Sequence, residues 1–508
     1  MITSLNAARR RRELDEIAGG LMVDVLVVGG GVTGAGVALD AASRGLSVCL
    51  VEAHDLAFGT SRWSSKLVHG GLRYLAKGDV GLAYESAAER GTLMTVVAPH
   101  LIRPLPQLVP LYGRARGTAL IMAGLRAGDA LRRAARTPTE LLPPPRRVST
   151  TRASALAPGL RRSGLRGGLL SFDGQLVDDA RLVVALARTA AGFGARVLTR
   201  ARALRLHRHG ADMRDEVTGV EFGIRARAVV NAAGVWAGEL VDSVRLRPSR
   251  GTHLVLSADA LDIRATAITI PVPGEHNRFA LLLPQDDGRL YLGLTDEPVT
   301  GPLPDVPDVP ASDVDFLLDV GSSVLATPLR RADVLGAYAG LRPLVAGGAS
   351  RSADLSRHHA VLTSPDGVIT VVGGKLTTYR RMAEDAVDAT KLTSAPSRTK
   401  RVPLVGAADR HVLSTMDTPR RLVFRYGTEA GRVAALGELD PALAVPVADG
   451  SMVTAAEVVW AVRHEGALDA ADVLDRRTRI GLVPADREAA ADNVGGLVAR
   501  SLSGLAAD

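Results

Sequence analysis

Val23-Asp24-Val25-Leu26-Val27-Val28-Gly29-Gly30-Gly31-Val32-Thr33-Gly34 is the stretch on which the fold turns. Its first six residues form a short, mostly β-branched apolar run, the pattern of a buried strand. Gly29, Gly31 and Gly34 then meet the spacing of a dinucleotide-binding turn. The first glycine permits the tight turn, the second lets backbone approach a pyrophosphate, and the third lets helix and strand pack closely. The small residues 35–43 predict a helix whose first N–H groups face the phosphates. Residues 48–51 predict a second strand. It ends at Glu52, 18 residues after Gly34, where a carboxylate can hold ribose hydroxyls. These signals agree on an α/β domain with a parallel sheet. An acid at position 52 discourages a 2′-phosphate, and a single fingerprint disfavours two different dinucleotides. Which dinucleotide binds is open at this point.

Further along, residues 103–149 read as irregular, basic and proline-punctuated. Within them, apolar and basic residues interleave over 120–136 in the manner of an amphipathic helix. Residues 178–191 predict a helix with acids in its first turn. Two strands near 217–230 lead into Asn231-Ala232-Ala233-Gly234, and residues 254–295 are strand-like. A proline-rich connector at 302–310 precedes a helix near 313–325. Elements typical of the first domain return at 368–378, and a polar linker at 394–403 introduces a final helical segment. There is no internal repeat.

A chain of 508 residues is too long for one core. It is 46% hydrophobic and 23% charged, with no run approaching the ~18 apolar residues of a spanning helix. Arg9 to Arg12 are followed by Glu13, Asp15 and Glu16 where a signal peptide turns apolar, so the reading is cytoplasmic. The net charge of +8 comes almost wholly from arginine, lysine occurring five times, as a GC-rich genome alone would produce. With 3% aromatics, a base-stacking nucleic-acid surface is not expected. The lone Cys49 lies in an apolar run and reads as a small buried hydrophobe. It rules out a disulfide or a cysteine metal site, and no metal is expected.

Gly59-Thr60-Ser61-Arg62-Trp63-Ser64-Ser65-Lys66-Leu67-Val68-His69-Gly70-Gly71-Leu72-Arg73-Tyr74 combines hydroxyls, glycines and spaced cations. Such a run makes a poor core and a good lining for a polyanionic ligand. It resembles the signature of the flavin-dependent, quinone-linked glycerol-3-phosphate dehydrogenases. Further blocks follow in that family's order: Asn231-Ala232-Ala233-Gly234-Val235-Trp236, Gly251-Thr252-His253, Gly293-Leu294-Thr295-Asp296, Gly340-Leu341-Arg342-Pro343-Leu344 and Gly373-Gly374-Lys375-Leu376-Thr377-Thr378-Tyr379-Arg380. The resemblance covers about residues 22–392, and more loosely 457–479. Arg62 and Trp63 depart from the family's small or mixed polar residues, and Leu294 stands where threonine is common.

The resemblance implies FAD in a Rossmann-like domain of the glutathione-reductase type, akin to amino-acid oxidases, with a β-rich cap and a C-terminal α-helical domain. The implied segments are 22–84, 168–242 and 335–392 for FAD binding, 85–167 and 243–334 for the cap, and 397–508 for the helical domain. Flavin contacts are expected from Gly29, Gly31, Gly34, Glu52, Thr60, Ser61, Ser65, Lys66, His69, Gly70, Gly71, Gly234, Gly374, Lys375, Leu376 and Thr377. Arg342 is implied as the substrate-phosphate clamp, where a bidentate guanidinium suits phosphate oxygens, with Arg73 and Arg357 as further candidates. His253 can accept a hydroxyl proton near neutral pH, with His69 its rival. Lys375 is suited to negative charge on a reduced flavin, and Tyr74 to contact with substrate or flavin. The implied reaction oxidises sn-glycerol 3-phosphate to dihydroxyacetone phosphate and passes electrons to a membrane quinone. That requires peripheral contact with the inner face of the cell membrane, for which residues 120–136 are a candidate; a homodimer is compatible with the sequence. Oxygen as acceptor, an amine or amino-acid oxidase, and a nucleic-acid-binding flavoprotein are the alternatives.

Overall fold

The computed structural model describes residues 2–75, 78–112, 118–273, 275, 278–345 and 359–505. Met22–Val28 lies inside an eight-stranded sheet, with Val48–Val51 and Arg196–Leu198 on one side. Glu221–Asn231, Ile369–Gly373 and His359–Thr363 lie on the other, and the five strands before the last run parallel. Parallel strands are covered on both faces, which is why this run is nearly all apolar. Val25, Leu26 and Val27 are fully buried, while Asp24, at the strand's start, accepts the N–H and hydroxyl of Ser47. The helices Val32–Ser43, Asp179–Gly192 and Tyr379–Thr390 pack against one another beside this sheet. Asp178 caps the second of them by accepting the Ala180 and Arg181 N–H groups.

Residues 217–230 carry one strand rather than two. Glu221–Asn231 alternates exposed and buried where it pairs with the hairpin Ala201–His207 and Gly210–Asp215, then becomes continuously buried. That change of pattern imitates two separate strands.

A second sheet has ten strands, almost all antiparallel. Ile102–Tyr112 pairs with Leu165–Leu176 along nearly its whole length, so the stretch read as irregular begins as a long strand. Pro104, Pro106 and Pro110 share one parity, so their missing donors fall along one side of a strand that has a neighbour on each side, Ala267–Pro271 and Leu165–Leu176. Leu67–Val68, Leu165–Leu176 and Gly336–Arg342 also belong to this sheet. The expected segments 22–84, 168–242 and 335–392 therefore each contribute to both sheets. Apolar alternation marks a strand without telling which sheet receives it.

From Arg410 the chain is helical, closing with Pro484–Leu505 around a core that includes Val458, Val462, Val494 and Val498. At the other end, Ala7–Ala18 docks on the first domain through Arg10, which donates to the Thr199 carbonyl at 2.7 Å. Cys49 is fully buried, and burial raises its thiol pKa. Among the described residues no helix is long and apolar enough to cross a membrane.

Candidate active site

Gly29 turns the chain from strand to helix with φ of 112°, a conformation that disfavours a side chain. A Cβ at Gly34 would overlap the Gly29 carbonyl oxygen, so only glycine lets the helix start this close to the strand. Gly31, Val32 and Thr33 face a cavity of about 1770 Å³, larger than the roughly 300–1,000 Å³ that suits a drug-sized ligand. Glu52 braces the turn, accepting the Gly30 N–H at 2.6 Å and the His54 N–H at 2.9 Å. Burial raises its pKa against the effect of those two bonds.

Residues 53–65 then run along the cavity wall. Ser61 Oγ accepts the Val32 N–H at 2.9 Å, and Thr60 Oγ1 donates to the Leu341 carbonyl at 2.6 Å. The loop is thus tied both to the glycine turn and to the second sheet. Ser65 Oγ lies 2.9 Å from His253 Nε2.

The opposite wall comes from three neighbouring strands, Gly336–Arg342, Ser249–Ser257 and Arg289–Gly293. Their register sets His253 between Tyr338 and Gly293, Gly251 opposite Gly340, and Ser249 opposite Arg342. Positions 249, 251 and 253 share a face, as do 338, 340 and 342, because side chains alternate along a strand. Tyr338 stacks on His253 with centroids 4.8 Å apart, and a Cβ at Gly293 would overlap the imidazole. A Cβ at Gly251 would likewise overlap the Arg342 guanidinium. Each glycine is the space its neighbour's functional group occupies. Arg342 is oriented by Ser249 Oγ at 3.2 Å, the Thr295 carbonyl at 3.0 Å and the Asp296 carboxylate at 3.2 Å. Burial, then the charges of Lys66 and Arg342, lower the His253 pKa well below the ordinary histidine value. His253 Nδ1 has no hydrogen-bond partner among the described residues.

A third group stands at the loop's far end. His69 Nδ1 lies 3.2 Å from Asp173 Oδ2, and Arg90 donates to Asp173 Oδ1 at 2.6 Å. Burial alone would raise the Asp173 pKa, but Arg90 and His69 outweigh it and hold it at about 2. Lys375 follows Gly373 and Gly374, both at positive φ, and its Nζ sits 3.8 Å over the Tyr74 ring. The 3₁₀ turn Leu376–Thr378 then leads into Tyr379–Thr390.

Residues 24–380 match the family described as FAD dependent oxidoreductase, and residues 397–504 match the C-terminal domain of alpha-glycerophosphate oxidase. The chain is 56% identical to glycerol-3-phosphate dehydrogenase 1 of Mycobacterium tuberculosis, over 96% of each. The chain belongs to the FAD-dependent glycerol-3-phosphate dehydrogenase family. To the mitochondrial glycerol-3-phosphate dehydrogenase SDP6 of Arabidopsis thaliana it is 35% identical, over 92% of this chain and 81% of that one. The crystal structure of the Bacillus halodurans glycerol-3-phosphate dehydrogenase complexed with FAD superposes with a TM-score of 0.74 and 26% identity, over 100% of this chain and 97% of that one.

The family's cofactor fits what the residues provide. At Gly31 an added Cβ would meet only Ser61 Oγ, at 3.1 Å, which leaves a cradle beside the helix N-terminus for a pyrophosphate. Glu52, His253, Arg342 and Lys375 line the same cavity, whose volume of about 1770 Å³ has room for a dinucleotide together with a small substrate.

Thr60, Ser61, Ser65, His69, Gly71, Tyr74, Gly234, Gly374, Lys375, Leu376 and Thr377 line this cavity with Gly29, Gly31, Glu52, His253 and Arg342. Three expected residues do not. Lys66, placed at the flavin by its motif, is buried behind the wall, where Nζ donates to Asp179 at 2.8 Å and to the Arg62 carbonyl at 2.6 Å. A cation removed from water takes a buried carboxylate as partner rather than facing a ligand. Gly70 makes room for the Arg90 guanidinium instead of touching the cavity, and Gly34 acts by close packing. Arg73 belongs to the short helix Leu72–Leu75, and Arg357 lies outside the described residues. Of the departures, Trp63 lines the cavity against Gly340, where a Cβ would lie 2.7 Å from its own, and Arg62 is buried over the Phe58 and Trp63 rings. Asp173, Arg90 and Tyr338, whose neighbours in space lie far away in sequence, carry no role in the sequence reading, and Asp296 stands there within a block without a role.

Proposed function

We propose that the protein oxidises sn-glycerol 3-phosphate to dihydroxyacetone phosphate and delivers the electrons to a membrane quinone. Bound FAD supplies the hydride acceptor. The observation that carries the reading is the placement of Arg342 and His253 on one face of adjacent strands, in the cavity that begins at the glycine turn. Arg342 is held at three points, so its fork is pre-set for a phosphate dianion. His253, neutral through burial, accepts the C2 hydroxyl proton as the hydride departs. Gly373 and Gly374 bring Lys375 to the cavity, where its charge favours the anionic reduced cofactor. Tyr74 carries the Lys375 ammonium on its ring and so fixes its height.

The His69–Asp173–Arg90 chain favours a second assignment of the proton acceptor, since a carboxylate held by an arginine orients the histidine ring. Replacing each histidine by asparagine separates the two readings: the residue that takes the proton costs about 10²–10⁴-fold in kcat.

For quinone access, the helix Thr118–Ala134 supplies Leu120, Ile121 and Leu125 to the cavity wall, and Leu120 is 77% exposed. Exposed Leu120, with the exposed arginines Arg126 and Arg133 on the same helix, suits peripheral seating on an anionic bilayer at the inner face of the cell membrane. The deciding test is anaerobic mixing of the yellow protein with glycerol 3-phosphate, with glycerol as control. Bleaching by the ester alone, and recolouring by a quinone analogue, is the expected result. Bleaching by neither would overturn the substrate reading, and recolouring by oxygen alone would overturn the acceptor.

A further inference from the structure

Two strained positions mark the loop of residues 53–65, one within it and one just after it. Ala57 and Lys66 both hold positive φ, at 62° and 56°, without being glycine. Such a backbone persists only where surrounding contacts over-determine it. At the Lys66 end the contact is the buried pair with Asp179, inside the same domain. At Ala57 one contact is the Gly30 carbonyl of the glycine turn, which accepts the Ala57 N–H at 2.9 Å, and the other comes from elsewhere, through Asp55 two residues before it. Asp55, wholly buried, turns away from the cavity and receives the adjacent arginines of the C-terminal domain. Arg477 bonds both its oxygens at 2.8 Å, and Arg476 Nε bonds Oδ2 at 2.6 Å. Those arginines are themselves fixed, Arg476 by Asp472 at 2.5 Å and Arg477 by the Glu465 carbonyl at 2.8 Å. Between the two anchors, Ser61 holds the glycine-turn helix and most residues from 53 to 65 line the cavity.

We propose that the C-terminal helical domain is a cofactor-retention clamp, in which Arg476 and Arg477 grip Asp55 and thereby hold the 53–65 loop in the shape that receives FAD. They are positioning residues. The proposal rests on the assignment of FAD to this cavity. Removing the grip leaves Asp55 and the start of the loop without their anchor in the C-terminal domain, so that binding must then re-order that part of the loop; a pre-organised loop carries no such penalty. The consequence is weakened FAD affinity beyond any loss of fold stability.

The test measures the FAD dissociation constant, from recovery of free-flavin fluorescence, with the melting temperature of the FAD-stripped protein beside it. The variants are Asp55→Asn, Arg477→Lys, and the control Arg421→Gln, which breaks the Arg421–Glu457 pair internal to the C-terminal domain. Asp55→Asn and Arg477→Lys are expected to raise the constant about tenfold or more, equivalent to about 1.4 kcal/mol, and to regain wild-type kcat in excess FAD. Arg421→Gln is expected to stay within about twofold, a few tenths of a kcal/mol. Should Asp55→Asn fail to fold, Arg477→Lys, which keeps the charge and loses the fork, carries the test. Clamp variants that melt lower yet bind FAD as tightly as the wild type would overturn the proposal, leaving an ordinary interdomain pair. A wild-type chain that takes up no FAD would instead sink the cofactor assignment beneath it.

Discussion

Gly251 and Arg342 show how a single hydrogen atom can set a substrate site. A methyl group at position 251 would strike only the far end of the Arg342 side chain, which can swing aside at little cost in folding. Gly251→Ala is therefore expected to raise KM for glycerol 3-phosphate about tenfold or more, the scale of one charged hydrogen bond, while the melting temperature stays near wild type. Steady-state kinetics with differential scanning fluorimetry checks both halves. Gly34→Ala differs in kind, since its Cβ would meet the rigid Gly29 carbonyl; it should be isolated colourless or insoluble. At His253, burial and neighbouring cations keep the imidazole neutral below the usual histidine range. A base with a lowered pKa stays competent until the pH falls through that lowered value. The acid limb of kcat/KM is thus expected below pH ~6.5, the unperturbed histidine value, and its absence from the His253→Asn profile is the check.

At the scale of elements, the helix Thr118–Ala134 joins the strands that carry the site in lining the cavity. Its mean composition is amphipathic, yet Asp129 and Arg132 are its buried residues and several of its apolar side chains face the cavity mouth. Leu120→Asp places a charge on an exposed one of these and is expected to weaken co-sedimentation with anionic vesicles severalfold. Equal vesicle binding by both proteins would mean that another surface makes the contact.

At the scale of the whole molecule, buried charge pairs join the C-terminal domain to the rest of the chain beside the apolar cores. Glu465 in the C-terminal domain meets Arg181 of the Asp179–Gly192 helix at 2.5 Å, with both side chains buried. Burial would raise the Glu465 pKa, but Arg181 and its arginine neighbours hold it at about 2, and Asp55 is likewise held at about 2 by Arg477 and Arg476 against burial. Carboxylates with depressed pKa values lend stability that is full above their unfolded values and is lost as pH falls through the folded ones. Unfolding followed by circular dichroism should therefore show stability declining from about pH 4.5 towards 2. Glu465→Gln removes part of this decline and, by leaving Arg181 buried without a counter-charge, costs about 3–5 kcal/mol at neutral pH. A variant as stable as the wild type would show that the pair contributes nothing net.

Much of this was legible in the chain itself. The strand, the glycine turn, the following helix and Glu52 are local, because turn geometry and side-chain periodicity depend on residues a few positions apart. The proline-bearing strand Ile102–Tyr112 was not legible, since three prolines read locally as breaks and its pairing partner Leu165–Leu176 lies more than 50 residues away. Nor could sequence tell Lys375 from Lys66, two lysines in glycine-rich or hydroxyl-rich motifs. One faces the cavity over Tyr74 and the other is buried against Asp179. What tertiary structure alone decided is the register that sets Gly293, His253 and Tyr338 side by side, and the reach of Arg476 and Arg477 across some 420 residues to Asp55. Local sequence dictates which face a residue takes on its own element, but the partner of that face is chosen by packing the whole chain at once.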